Sequence, residues 1–201
     1  MFSETESGQM VVKSRPIAPG RMQAEFEVLG KLGEGTFGEA FRVRKEGQLY
    51  AIKRAKEAYQ GHRDREARLQ EVWRAMRVQS RHCVRVIEAW EEAGVLHIQS
   101  ELCERGNLND VLTSDLPQAE WWQTVPEEQI WRYLLEMARS LKHVHECGMV
   151  HLDVKPSNFF VRADGSLALG DFGQAVDLRS LSRLRDDDVE GDSVYMAPEL
   201  L

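Results

Sequence analysis

The chain has 201 residues, 42% hydrophobic and 29% charged, with 33 acidic against 26 basic side chains and a net charge of −7. That balance suits a water-soluble globular chain with one core or two small lobes. It argues against a general binder of phosphate backbones, so nucleic acid is not expected as a partner.

Residues 1 to 24 mix Ser, Glu, Gly, Pro and scattered Lys and Arg without apolar period and read as a flexible leader. Order is expected from about Phe26. "FEVLGKL", "EAFRVR" and "LYAIKRA" are three short strand patterns with glycines at the first turn and Gly47 at the second, an antiparallel meander. From His62 to Val78, scattered Ala67, Val72, Ala75, Met76 and Val78 predict one helix with a narrow apolar face. "RVIEAWEEAGVLHIQSEL" then predicts two more strands around a turn at Ala93 and Gly94. Thr113 to Val125, with Trp121 and Trp122, is a connection. Thr124 to Glu127 fits a capping box, and Ile130, Leu134, Ala138, Leu141 and His145 follow at helical spacing as far as Cys147, with Gly148 as terminator. "NFFVRADGSLALG" predicts a hairpin turning at Asp164 and Gly165.

Cys83, Cys103 and Cys147 form no CxxC pair and are odd in number, so reduced thiols in a cytoplasmic or nuclear setting are expected, without disulfide framework or zinc site. No apolar run reaches the roughly 18 residues of a membrane span, and "MFSETESGQM" lacks the apolar stretch of a signal peptide.

"GEGTFGEA" places Gly33, Gly35 and Gly38 as G-x-G-x-x-G. A dinucleotide fingerprint needs a helix next, but the strand pattern "EAFRVR" follows, and the Gly-Lys-Ser/Thr of a P-loop is absent. A glycine hairpin able to lie over phosphates remains. "YAIKRA" puts Lys53 on the third strand, where an ammonium would hold a nucleotide's inner phosphates. Glu71 on the following helix is the carboxylate expected to position it, with Glu66 as competitor, because Glu71 heads the more apolar part of that helix. "HLDVKPSN" supplies Asp153 to orient a hydroxyl and accept its proton, Lys155 to neutralise a transferred phosphoryl group, and Asn158 to hold magnesium. "GDFG" adds Asp171 as a second metal ligand, and "APE" follows at residues 197 to 199. Each motif alone is weak; their common order is highly specific.

These motifs resemble the eukaryotic protein kinases. With "YAIKRA", "CVRVIEAWEEAGVLHIQSELC", "VHLDVKPSNFF", "LGDFG" and "EGDSVYMAPELL", the chain is most similar to the Wee family of inhibitory kinases and its membrane-associated tyrosine- and threonine-specific branch. The resemblance implies an α+β, bilobal kinase fold: a five-stranded antiparallel sheet with one main helix, then a helical second lobe. The kinase domain would span residues 25–201, with 25–102 as the first lobe and start of the hinge and 103–201 as the rest. It implies ATP and Mg2+ as cofactors and a cyclin-dependent kinase as protein substrate, phosphorylated on threonine and tyrosine to hold back mitosis. Lys155 by itself suits serine and threonine only. "SELC" resembles the adenine-pairing hinge, with Ser100 as a small gatekeeper and backbone groups of Glu101 and Cys103 as partners. Full-length members of this branch associate with endoplasmic reticulum and Golgi membranes.

Three features depart from the pattern. Ala40 replaces the valine that usually covers the adenine ring. Leu152 stands where many kinases carry the arginine that pairs with an activation-loop phosphate. Two readings of Leu152 follow. Either the loop orders without phosphate or the enzyme is inactive, and the intact Asp153, Asn158 and Asp171 favour the first; Asp186, Asp187, Asp188, Glu190 and Asp192 would then pair with Arg179, Arg183 and Arg185, or those charges are simply solvated. Finally, the chain ends at "APELL", short of the helices that complete a kinase's second lobe, so apolar surface on the Glu127–Cys147 helix is expected to lack cover. The alternative function is a truncated or pseudokinase module that binds nucleotide or a partner without phosphotransfer.

Overall fold

The computed structural model describes residues 2–4, 10–12, 20–35, 38–113, 125–179, 192 and 194–196. The chain divides into two compact units, Met1–Trp73 with Arg85–Leu102 and Arg74–Val84 with Cys103–Leu201.

In the first unit, strands β1 (Phe2–Glu4) and β2 (Met10–Val12) pair antiparallel inside the stretch expected to be a leader. Helix α1 (Arg21–Glu25) also begins there. It holds because Glu92, from a strand far along the chain, accepts the N–H groups of Gly20 and Met22 at 2.6 and 3.2 Å and so fills the role of an N-cap. Arg21 lies 4.5 Å from the centre of the Trp90 ring and pairs with Glu25 and Glu88, while Met22 is buried. Apart from Glu25, these partners lie about 70 residues away, beyond the reach of local periodicity.

The sheet has the order β3-β4-β5-β7-β6, all neighbours antiparallel: β3 (Glu27–Glu34), β4 (Gly38–Lys45), β5 (Gln48–Ala55), β6 (Val86–Glu92) and β7 (Val95–Glu101). Its two tight turns carry consecutive positive φ values, 51° and 79° at Glu46 and Gly47, 50° and 76° at Ala93 and Gly94. That geometry matches the twist of the strands it joins. Met22, Phe26, Val43, Ile52 and Trp90 form the core on one face, with Phe26 and Trp90 stacked at 5.8 Å. The alternation in "FEVLGKL" suggests a half-buried strand, yet every residue of β3 is exposed. At the sheet edge, register shifts at Val28/Gly30 and Lys31/Gly33 break the pleat that would turn one face inward. Helix α2 (His62–Arg77) completes the set of one sheet and one main helix, and the division between units falls within it.

The second unit takes Arg74–Val84, within the span expected for the first lobe, because that segment bonds to later residues. Val84 donates to the Leu169 carbonyl at 2.8 Å, and the His143 ring donates to that of Val78 at 3.1 Å. Helices α3 (Leu108–Thr113) and α4 (Glu127–Glu146) lie here with short strands β8 (Met149–Val150), β9 (Phe159–Val161), β10 (Leu167–Leu169) and β11 (Val176–Asp177). The β9–β10 hairpin turns through Asp164 and Gly165 as expected; Asp164 accepts the Ser166 N–H at 2.8 Å and Gly165 has φ 79°. No helix among the described residues is long and apolar enough to cross a membrane.

Helix α4 spans nearly the expected residues and ends before Gly148, φ 72°. Its cap differs: Pro126 occupies the N-cap without a side-chain bond, and Thr124 lies outside the described residues. Its buried face also differs. Tyr133, Ser140 and Val144 are buried, whereas Ile130 and Leu134 of the expected stripe are exposed. The helix carries apolar residues on two faces, and period alone does not rank them. Ile130, Trp131, Leu134 and Leu135, 37 to 63% exposed, form one contiguous patch. We expect this chain by itself to bind a hydrophobic dye and to self-associate with rising concentration. Trp131→Glu with Leu135→Lys should cut dye fluorescence by about half or more and favour the monomer in sedimentation. Unchanged dye binding would show that this face is covered.

Candidate active site

The candidate groups fall into two sets, one in each unit. In the first, Gly33 lies near the end of β3, Gly35 follows it, and Gly38 opens β4; Gly35 donates its N–H to the Gly38 carbonyl at 2.9 Å. The three glycines do different work. A Cβ on Gly38 would stand 2.7 Å from the Arg54 carbonyl oxygen, so backbone packing against β5 requires that glycine. Among the described residues, a Cβ on Gly33 or Gly35 would meet nothing within 4 Å. Open space over bare backbone suits a phosphate group drawing close, and this cradle fits ATP. Gly38→Ala should therefore lower stability by about 1–3 kcal/mol in urea unfolding. Gly33→Ala and Gly35→Ala should stay within about 0.5 kcal/mol; equal losses at all three positions would contradict this division.

Lys53, on β5, donates from Nζ to Glu71 Oε1 at 2.6 Å. Glu66 is 65% exposed at its side chain and faces His62 at 3.5 Å instead. A strand lysine and a helix carboxylate so joined fix the ammonium's position, the arrangement that cradling inner phosphates requires. Ser100 and Glu101 end β7, where Ser100 pairs with Ala51 and the Glu101 N–H donates to the Arg85 carbonyl at 2.9 Å.

In the second unit, Cys103 is buried and its carbonyl accepts the Gly106 N–H at 3.1 Å. Asp153, Lys155 and Asn158 converge. The Asn158 side chain is buried, and its Nδ2 donates to the Asp153 carbonyl at 2.7 Å and to Asp153 Oδ2 at 2.8 Å. With both amide protons so used, Oδ1 is the Asn158 atom suited to a hard cation. Lys155 Nζ lies 3.1 Å from Asp153 Oδ2 and 3.5 Å from Asp192. Partial burial works against the Lys155 charge, but Asp153 and then Asp192 outweigh it and hold its pKa above the usual lysine value. Asp171 has φ 57° and Leu152 φ 62°, the left-handed region that branched side chains rarely adopt. Carboxylate and amide oxygens of this kind fit a divalent cation such as Mg2+, although no three His, Cys, Asp or Glu side chains cluster among the described residues.

Local sequence patterns missed His151. It is 1% exposed, its Nε2 lies 3.0 Å from the Gly170 carbonyl, and its Nδ1 accepts the Asp153 N–H at 3.3 Å. A carbonyl can only accept and an amide can only donate, so the neutral ring carries its proton on Nε2. Phe172 packs edge-on at 5.1 Å. A histidine between the apolar Val150 and Leu152, just before the carboxylate, was the available signal. Beyond Asp171, Arg74 donates to the Gly173 carbonyl and Arg77 to Asp177, each at 2.7 Å. Arg179 and Arg77 hold the Asp177 carboxyl far below the usual range. Of the acid and arginine run, Arg179 pairs with Asp177 and Asp192 with Lys155; residues 183–190 and the "APE" motif lie outside the described residues.

Comparison with known proteins gives the same direction. A probable protein kinase of Dictyostelium discoideum is 40% identical over 181 residues, covering 89% of this chain and 50% of its own. The membrane-associated tyrosine- and threonine-specific cdc2-inhibitory kinase of Drosophila melanogaster is 42% identical over 180 residues, 88% of this chain and 32% of its own. The mitosis inhibitor protein kinase wee1 of Schizosaccharomyces pombe is 36% identical over 178 residues, 85% and 19%. The chain thus spans half or less of the length of these curated relatives. Residues 26–201 match the protein kinase domain, and with Wee-type kinases among its relatives the chain belongs to the protein kinase domain family.

Proposed function

We propose that this chain is the catalytic part of a Wee-type inhibitory kinase. It would transfer the γ-phosphoryl group of ATP to a threonine or tyrosine of a cyclin-dependent kinase and so restrain entry into mitosis. The observation that carries the reading is the Asn158 clamp on Asp153 with Lys155 beside it. Both neighbours engage Oδ2, so we assign Oδ1 of Asp153 to the incoming hydroxyl, whose proton it accepts. Lys155, kept cationic, would balance charge developing on the transferred group. Lys53, held by Glu71, and the open backbone at Gly33 and Gly35 would position phosphates; Ser100, Glu101 and Cys103 would border adenine. Asn158 and Asp171 would hold Mg2+, which supplies charge neutralisation on the phosphates when bound. The target is supported by the names of the Drosophila and Schizosaccharomyces relatives.

The test incubates the protein with labelled ATP, magnesium and a cyclin-dependent kinase. Label on threonine or tyrosine of the target is expected. A folded protein that binds ATP and transfers nothing would replace this reading with that of a nucleotide-binding module.

A further inference from the structure

Besides these groups, the second unit carries a concavity of about 390 Å³ lined by Arg81, His82, Arg139, Lys142, His143 and Glu146. Arg81 and His82 come from the turn after α2, and the other four lie along the C-terminal half of α4. We propose that it is a docking site for a phosphorylated side chain of a protein partner, with Arg81, Arg139 and Lys142 as its cationic contacts.

Three observations support this site. First, seven of the fourteen other described arginines pair with a carboxylate: Arg21, Arg44, Arg54, Arg65, Arg68, Arg77 and Arg179. Among the described residues Arg81 and Arg139 have no such pair, although both are exposed and border one hollow. The one acid in the lining, Glu146, lies 3.5 Å from Lys142, an exposed and weak pairing that an anion can displace. Second, cationic side chains surround the His82 ring in the lining of the hollow. Burial first, and then Arg81, His143 and Arg139, push the His82 imidazole below its ordinary value, against a smaller opposing effect of Glu136. The His143 ring is anchored to the Val78 carbonyl at 3.1 Å and stands 6.4 Å from that of His82, so both imidazoles line the hollow. Third, the whole chain carries −7. An extended polyanion or an anionic membrane would meet that net repulsion over a wide area, whereas a single phosphate monoester feels chiefly the local arginines within about one Debye length. Paired guanidiniums suit its oxygens.

The test titrates the full chain, followed by NMR of arginine Nε–H groups, with N-acetyl-phosphothreonine amide, N-acetyl-threonine amide, inorganic phosphate, and vesicles of phosphatidylcholine with phosphatidylserine. Saturable shifts at Arg81 and Arg139 with the phosphothreonine probe are expected, at least tenfold tighter than with the threonine probe and tighter than with inorganic phosphate. Arg139→Gln alone and Arg81→Gln with Arg139→Gln should weaken binding progressively at unchanged melting temperature, and Asp153→Asn should leave it intact. Equal binding of both amino-acid probes, inorganic phosphate as the better ligand, binding by vesicles alone, or indifference to both arginine variants would each overturn the proposal. None of these results depends on phosphoryl transfer, so failure here leaves the kinase reading standing, and the reverse.

Discussion

Asp153→Asn is expected to lower the rate of phosphoryl transfer about 10²–10⁴-fold with little change in nucleotide affinity or stability. The substitution is nearly isosteric. An amide oxygen in place of Oδ2 can still accept from Asn158 Nδ2, which donates at 2.8 Å in the native chain, and Lys155 keeps Asp192 at 3.5 Å. What disappears is a proton acceptor and a negative charge. A loss confined to kcat would place the effect in the chemical step, whereas a parallel rise in KM would show lost binding. Retention of more than about a tenth of the activity would remove Asp153 from the role of base. Urea unfolding on the same samples separates this from a folding defect.

The largest expected effect on stability is at His151. His151→Ala should cost about 3–5 kcal/mol, because it opens a cavity beside Phe172 and leaves the buried Gly170 carbonyl without its donor. His151→Phe fills the space but not the bond and should cost less, about 1–3 kcal/mol. Burial pushes the His151 pKa below its usual value, against smaller opposing effects of the Gly170 carbonyl, Asp171 and Asp153. A group whose pKa is depressed on folding takes up its proton first in the unfolded chain. Its contribution to stability is complete above the unfolded value, near 6.5, and is lost as pH falls through the lower folded value. His97 and His82 are shifted the same way, so the informative quantity is the difference between the native chain and His151→Phe. That difference should narrow as pH falls below about 6.5. A pH-independent difference would mean that the ring is not held neutral.

The chain's local chemistry determined a good deal without any structure. Gly47 and Gly94 mark two tight turns, Asp164 and Gly165 a third, and each works through backbone freedom or a bond two residues away. Alternation produced the strands, and the period of "EEQIWRYLLEMARSLKHVHE" produced α4, since both follow from neighbours along one element. The ordered motifs named the family for the same reason: each is a short run that one turn or strand end displays.

Tertiary structure decided whatever depends on distant partners. Period identified α4 but picked Ile130 and Leu134, whereas packing in the second unit buried Tyr133, Ser140 and Val144. Helix α1 exists because Glu92 reaches it from β6. Geometry pairs Lys53 with Glu71 at 2.6 Å, where spacing had offered Glu66 as well. At Leu152 the sequence showed a missing arginine; the fold shows a backbone at φ 62°, with His151 beneath it taking the N–H of Asp153. Short-range pattern is written residue by residue, but which of two apolar faces is buried, or which carboxylate a lysine meets, is fixed only when remote segments compete for the same space.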